Sequence, residues 1–141
     1  MENPAQIQSL IAELQSNQLQ NQANAAKALS SAAFNNVPAQ NAIREANGLS
    51  VLLDLAVHPD TANELREEAL WALWVVIQNN AGNKQALRNL DAISRLEALP
   101  LRNDPILSGF MGSLLTELQN AQVFHYAQSR QGNVGPSQNQ P

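Results

Sequence analysis

Cysteine is absent from the 141 residues, which removes disulfides and thiolate metal sites from consideration. Charge is scarce: only 14% of the residues are Asp, Glu, Lys or Arg, and the net charge is −4. A nucleic-acid binder needs a basic patch, and here Lys27, Arg44, Arg66, Lys84, Arg88, Arg95, Arg102 and Arg130 are dispersed, so no nucleic-acid partner is expected. No apolar run approaches the roughly 18 residues of a membrane span. The N-terminus lacks the basic-then-apolar order of a signal peptide. These absences lead to the expectation of a soluble chain without a membrane partner, cytoplasmic or nuclear.

Catalytic and cofactor signatures are missing too. The six glycines are scattered at helix ends, in the last helical stretch and in the tail, so no phosphate-cradling loop forms. His58 and His125 have no second His, Cys or carboxylate at ligand spacing. No nucleophile elbow is present. Glu67 and Glu68 are neighbours in sequence, so on a helix they point apart and cannot face each other across a substrate. The expectation is no enzyme activity, no metal and no cofactor.

What is present is helical periodicity. Leu65, Ala69, Ala72, Leu73, Val76 and Ile77 recur at three- and four-residue steps and make one apolar stripe over the stretch 65–80. Trp74 falls on the Leu70 and Ile77 side and is expected in the core. Trp71 and Val75 fall on a second, partly polar face. Thr61 with Glu64 reads as a capping box opening this helix. Before it, helices are expected at about 5–16, 19–34 and 39–46, with another through Leu49, Leu52, Leu53, Leu55 and Ala56. Asn35-Asn36-Val37-Pro38 breaks the second of these. Asn47-Gly48 ends the third, with glycine taking the left-handed conformation. Asp104-Pro105 opens a last helix, expected to reach about residue 128. Residues 129–141 hold Gln, Gly, Asn, Pro and Ser and nothing to bury, so a disordered tail is expected after a helical domain at 1–128.

The sequence also repeats itself. A shift of 44 lays residues 25–55 on 69–99 without a gap, and ten of the 31 positions are then identical. Among them are Ala28/Ala72, Leu29/Leu73, Asn35/Asn79, Asn36/Asn80, Arg44/Arg88, Leu52/Leu96 and Leu55/Leu99. Arg44 and Arg88 sharing one site argues for a structural role at a neighbouring helix end. A weaker third copy, with Met111, Leu114, Leu115 and Leu118, fits at a shift of 41. Helical periods of this length belong to α-solenoids.

Glu68-Ala69-Leu70-Trp71-Ala72-Leu73 resembles the third helix of an armadillo repeat. Asn83-Lys84-Gln85-Ala86-Leu87-Arg88 and the run 92–99 continue the likeness, and the run 41–49 with Leu52, Leu53 and Leu55 carries it in the first copy. The resemblance spans about residues 5–120. It implies an all-α, right-handed solenoid of about two and a half repeats, whose third helices line a concave groove for a protein or peptide partner. Carried over by position, the groove residues are Glu64, Glu67, Trp71, Val75 and Gln78 on the central helix. One repeat earlier they are Gln20, Ala23, Lys27, Ser31 and Phe34; in the third copy they are Ser108, Gly112, Thr116 and Gln119. Nuclear-import adaptors of the family place an Asn four residues after the groove Trp. Here Trp71 is followed by Val75, so a basic nuclear-localisation peptide is not the expected ligand.

The resulting expectation is a scaffold or adaptor. Trp71 and Val75 would make apolar contacts, Gln78 would bond the partner backbone, and Glu64 and Glu67 would favour a partner carrying Lys or Arg. The alternative is an accessory factor that embraces a folded domain, as helical repeats do in chaperone nucleotide exchange or as lyase subunits. Short solenoids leave their ends unshielded, so either the helix at 105–128 caps the array or chains associate end to end as a homodimer.

Overall fold

The computed structural model of the chain describes residues 4–101 and 104–134, with side chains described as far as residue 120. Among these residues the fold is all-α, with α1 (Pro4–Leu14), α2 (Leu19–Ala33), α3 (Val37–Glu45), α4 (Gly48–Val57), α5 (Asn63–Val76), α6 (Ala81–Asn89), α7 (Ala92–Glu97) and α8 (Pro105–Val134). The helix starts Leu19 and Asn63, Val37 and Ala81, and Gly48 and Ala92 each lie 44 residues apart. Equivalent helices stack on one another: α2 on α5 and α5 on α8, α1 on α4 and α4 on α7, and α3 on α6. The α1–α4–α7 row backs onto the α2–α5–α8 row. The 44-residue repeat of the sequence is thus a repeat of structure.

Backbone geometry repeats with it. Asn35 and Asn79 take positive φ, 52° and 55°, and so do Asn47 and Asp91, at 69° and 60°. Asn and Asp tolerate this region better than other residues with a β-carbon. The second Asn of each Asn-Asn pair has a different task. Asn36 caps α3 by accepting from Ala39 N at 3.1 Å, and Asn80 caps α6 by accepting from Asn83 N at 2.9 Å. One asparagine turns the chain and the next starts a helix.

Several local expectations are corrected here. Left-handed geometry at Asn47-Gly48 belongs to Asn47, while Gly48 is the first residue of α4. Glycine is needed there for space: a β-carbon would meet Ile43 Cγ2 at 2.6 Å and Ile43 O at 2.9 Å. The Thr61/Glu64 capping box does not form, because the N-cap of α5 is Ala62, without a side-chain cap bond. The Asp104 cap does form, accepting from Leu107 N at 3.0 Å. Helix α8 runs on past the expected end near 128. The rest of the expected tail, 135–141, lies outside the described residues, as does the side chain of His125.

The core runs without a break from Ile7, Ile11 and Leu14 through Leu29, Ile43, Leu52 and Leu53 to Leu70, Leu73, Ile77, Leu87, Leu96, Leu107, Leu114 and Leu118. The whole expected stripe of α5 is buried, including Ile77 just past its end. Each fully buried Leu or Ile contributes roughly 1.5–3 kcal/mol of apolar transfer.

A buried polar mesh joins the repeats. Gln40 is fully buried; its amide donates to Ala33 O at 3.1 Å and to Val75 O at 3.2 Å. Asn80 Nδ2 donates to Gln40 Oε1 and Asn41 Oδ1, both at 3.0 Å. Asn83 Nδ2 donates to Val76 O at 2.8 Å and Gln40 O at 3.1 Å, and its Oδ1 accepts from Arg44 at 2.6 Å. Arg88, one period later, donates to Leu118 O at 3.3 Å, and Lys84 pairs with Glu117 at 3.1 Å. Arg44 and Arg88 therefore each reach into the next repeat, a structural role but not the helix-end contact expected of them: Arg44 meets the Asn83 side chain and Arg88 meets Leu118 O in the middle of α8.

Gly48→Ala should lower stability by roughly 1–3 kcal/mol through overpacking. At Gly109 and Gly112 an added β-carbon meets nothing within 4 Å, so Gly109→Ala should raise stability by about 0.5–1 kcal/mol by helix propensity. Urea denaturation of the two variants against the parent chain checks both signs.

Candidate functional site

The exposed face of the α2–α5–α8 row is where the expected site residues fall. On α2, Lys27 and Ser31 are exposed, and Phe34, just past the helix end, is 58% exposed. Facing them from α5 are Glu68 and Trp71, and with Ser30 the six line a hollow of about 530 Å³. On the other side of α5, Trp74 faces Ser108, Gly112 and Thr116 of α8 across a second hollow of about 500 Å³. Glu64 and Glu67 lie on α5 one turn before Glu68 and Trp71, Glu64 exposed and Glu67 half-buried.

Not every expected residue belongs to this face. Val75 is 1% exposed, a correction to its expected place. The α2–α3 corner covers the end of α5, and Gln40 of α3 bonds the Val75 carbonyl itself. Ala23 is likewise buried, with Asn24 exposed next to it. Gln78 lies beyond the end of α5, and its amide donates back to Trp74 O at 3.0 Å. Gln119 is exposed but turned to Glu97 of α7, with Nε2 3.5 Å from Glu97 Oε2.

Trp74 is the other correction. It packs on the core with one side yet stays partly exposed. Its ring stacks on Trp71 with centroids 5.2 Å apart and planes 18° from parallel. Phe110 of α8 leans on Trp71 at 6.3 Å and 54°. Stacked and tilted pairs of this kind add roughly 0.5–1.5 kcal/mol beyond area burial. They hold Trp71 in place while leaving it 37% exposed. The i, i+3 spacing of the two tryptophans is a sequence signal for this pair. Phe110 had no such signal, because its counterpart at a shift of 41 is Ala69.

Electrostatically the face is acidic. Glu64, Glu67 and Glu68 crowd one side of α5, and Lys27 stands 4.0 Å from Glu68 Oε2. Burial is the largest cause holding the Glu68 carboxyl above its ordinary 4.5; Lys27 opposes the rise, and Glu67 and Glu64 add to it. Arg66 offers no help. It is buried and caps the end of α4, with Nε donating to Ala56 O at 2.9 Å and Nη2 to His58 O. One period earlier Gln22 does the matching job on Leu14 O at 2.9 Å.

Another hollow, about 540 Å³, lies elsewhere, between the α1–α2 and α4–α5 joints, and contains none of the expected site residues. His58 lines it, and its Nδ1 accepts from Asp60 N at 3.0 Å, which makes it part of the joint. Among the described residues no group of three or more His, Asp or Glu is placed to hold a metal, and no helix is long and apolar enough to cross a membrane.

Residues 21–103 match the family described as the spinocerebellar ataxia type 10 protein domain. The chain belongs to that family. Within this spinocerebellar ataxia type 10 domain, the matched stretch holds all six residues of the α2–α5 hollow and stops short of α8, which supplies one wall of the α5–α8 hollow. Among eight solved chains that match is the crystal structure of an engineered protein from a structural-genomics consortium, 24% identical, with a TM-score of 0.75 over 83% of this chain. That likeness shows the fold alone. The match covers 47% of the engineered protein, so this chain spans about half its length. No curated protein matches the chain.

The raised Glu68 carboxyl has a consequence for stability. The folded chain holds the Glu68 proton more tightly than the unfolded chain. That contribution is complete below the ordinary 4.5 and is lost as pH rises through the higher folded value. Glu68→Gln removes the dependence, so its stability relative to the parent should climb as pH increases across that window. Urea midpoints of both proteins on a pH series check it; a constant difference would contradict the burial of this carboxyl.

Proposed function

We propose that the chain is a protein-interaction module, an armadillo-like right-handed solenoid that holds a segment of a partner protein along the face of α2, α5 and α8. The observation that carries this reading is Trp71, a large aromatic left 37% exposed yet fixed by Trp74 and Phe110 between two hollows. Exposed apolar surface at a preorganised position is characteristic of binding surfaces, and tryptophan is enriched among residues that dominate binding energy. Membership of a helical domain family and the fold likeness are consistent with an interaction role. The groove ligands are Trp71, Trp74 and Phe34 for apolar contact, with Ser31 and Thr116 as hydroxyl partners and Glu64, Glu67 and Glu68 setting the charge. Val75 is not among them.

Trp71→Ala should weaken retention of the partner by more than about 1 kcal/mol, a fivefold or greater loss of affinity, with helicity unchanged. Quantitative capture from native extract with parent and variant baits, beside circular dichroism of each, reads both quantities. A core-like stability loss of roughly 3 kcal/mol or more with unchanged capture would remove the reading.

A further inference from the structure

The hollow between the α1–α2 and α4–α5 joints shares no residue with the two hollows of the α2–α5–α8 face. Its floor is aliphatic: Leu14 and Leu65 are buried, Val51 and Leu55 half-buried, and Leu19 on one wall is 42% exposed. Its charged lining is acidic, Asp54 and Asp60, with no Lys or Arg. Asp60 is exposed and in no ion pair among the described residues. The internal repeat shows what this place lacks. Arg95 stands 44 residues after Val51, and Arg66 stands 44 after Gln22. Arg95 crosses from α7 to α4 and meets Asp54 at 2.7 Å, while Arg66 bonds Ala56 O and His58 O. The gap between α4 and α7 thus carries its own cation on a long stem. The gap between α1 and α4 has only a valine and a glutamine at the same positions.

We propose that this hollow is a second docking surface, apart from the α2–α5–α8 face, and that it receives a lysine side chain of a protein partner. The four-carbon stem lies along the aliphatic floor while the ammonium stays at the wet rim with Asp54 and Asp60. An ammonium is a compact point charge that two separate carboxylates share, and no Phe, Tyr or Trp lines the hollow to stack a guanidinium. An acidic side chain would meet like charge at the rim. A purely apolar one would fill the floor and leave the carboxylates without a counter-charge. The source is a polypeptide rather than a free amine because α2 and α5, whose starts border the hollow, begin without a side-chain cap. Their first-turn N–H groups suit the carbonyls that a polypeptide brings and an amine lacks.

Acetylated, amidated Gly-Gly-X-Gly-Gly peptides, with X as lysine, norleucine or Nε-acetyl-lysine, test this on the full chain beside n-butylammonium, read by leucine methyl and His58 imidazole NMR shifts. The lysine peptide should bind roughly fivefold or more tightly than the uncharged norleucine and acetyl-lysine peptides, and about threefold or more tightly than n-butylammonium. Asp60→Asn should weaken lysine binding about threefold or more. Val51→Arg gives the first gap the residue of the second, one helical turn from Asp54, and should weaken lysine binding roughly tenfold or more by filling the place from within. Trp71→Ala should leave lysine binding unchanged, and thermal melts establish that each variant folds. No binding of the lysine peptide, equal binding of lysine and norleucine, or an undiminished response in Asp60→Asn or Val51→Arg would each overturn the proposal. Equal binding of n-butylammonium would overturn the polypeptide source. If lysine discrimination fails while Trp71→Ala still loses its partner, this surface falls and the α2–α5–α8 face stands.

Discussion

Gln40, Asn80 and Asn83 form the joint on which the rest of the molecule depends. These three buried amides bond the ends of α2 and α5 to the starts of α3 and α6. Apolar packing between helices tolerates sliding, because one aliphatic contact substitutes for another. Amides do not slide. A shift of one residue would strand several buried donors and acceptors, each at a cost of about 1–3 kcal/mol. The hydrophobic core supplies the driving force, and the mesh sets the register at which α5 sits on α2. That register decides which side chains face each other across the hollow: Lys27 and Phe34 from one helix, Glu68 and Trp71 from the next.

The second repeat solves the same problem with charge. Lys84, in the place of Gln40, pairs with Glu117, and Arg88 bonds the Leu118 carbonyl. Helix α8 is thus held by an ion pair and a charge-assisted bond where α5 is held mainly by neutral amides. Helix ends are treated alike in both repeats, Gln22 closing α1 and Arg66 closing α4. A cation at a helix C-terminus also complements the dipole there.

Much of this was legible in the sequence. The 44-residue shift found the repeat, the stripe from Leu65 to Ile77 found the buried side of α5, and the matched arginines marked a shared structural site without showing what they bond. What escaped did so for physical reasons. Positions four apart on a helix differ by about 40° around its axis, so Val75 and Trp74 stand on either side of the line through Trp71. Only the α2–α3 corner, a tertiary feature, decides which of the two is covered. The place of Glu68 opposite Lys27 was not legible, because sequence spacing carries no information about how closely α2 approaches. The positive φ assigned to Gly48 falls on Asn47, as it falls on Asp91 before Ala92, and the glycine is required instead by Ile43, a contact between neighbouring helices that no local pattern displays.

The stacked indoles have one more consequence. Two identical chromophores 5.2 Å apart and nearly parallel share their electronic transitions. The pair therefore carries an optical signature that separate tryptophans lack. Anything that settles against Trp71 and tilts its ring alters that coupling directly, so the molecule contains its own label-free reporter of occupancy, visible in the aromatic region of its spectrum.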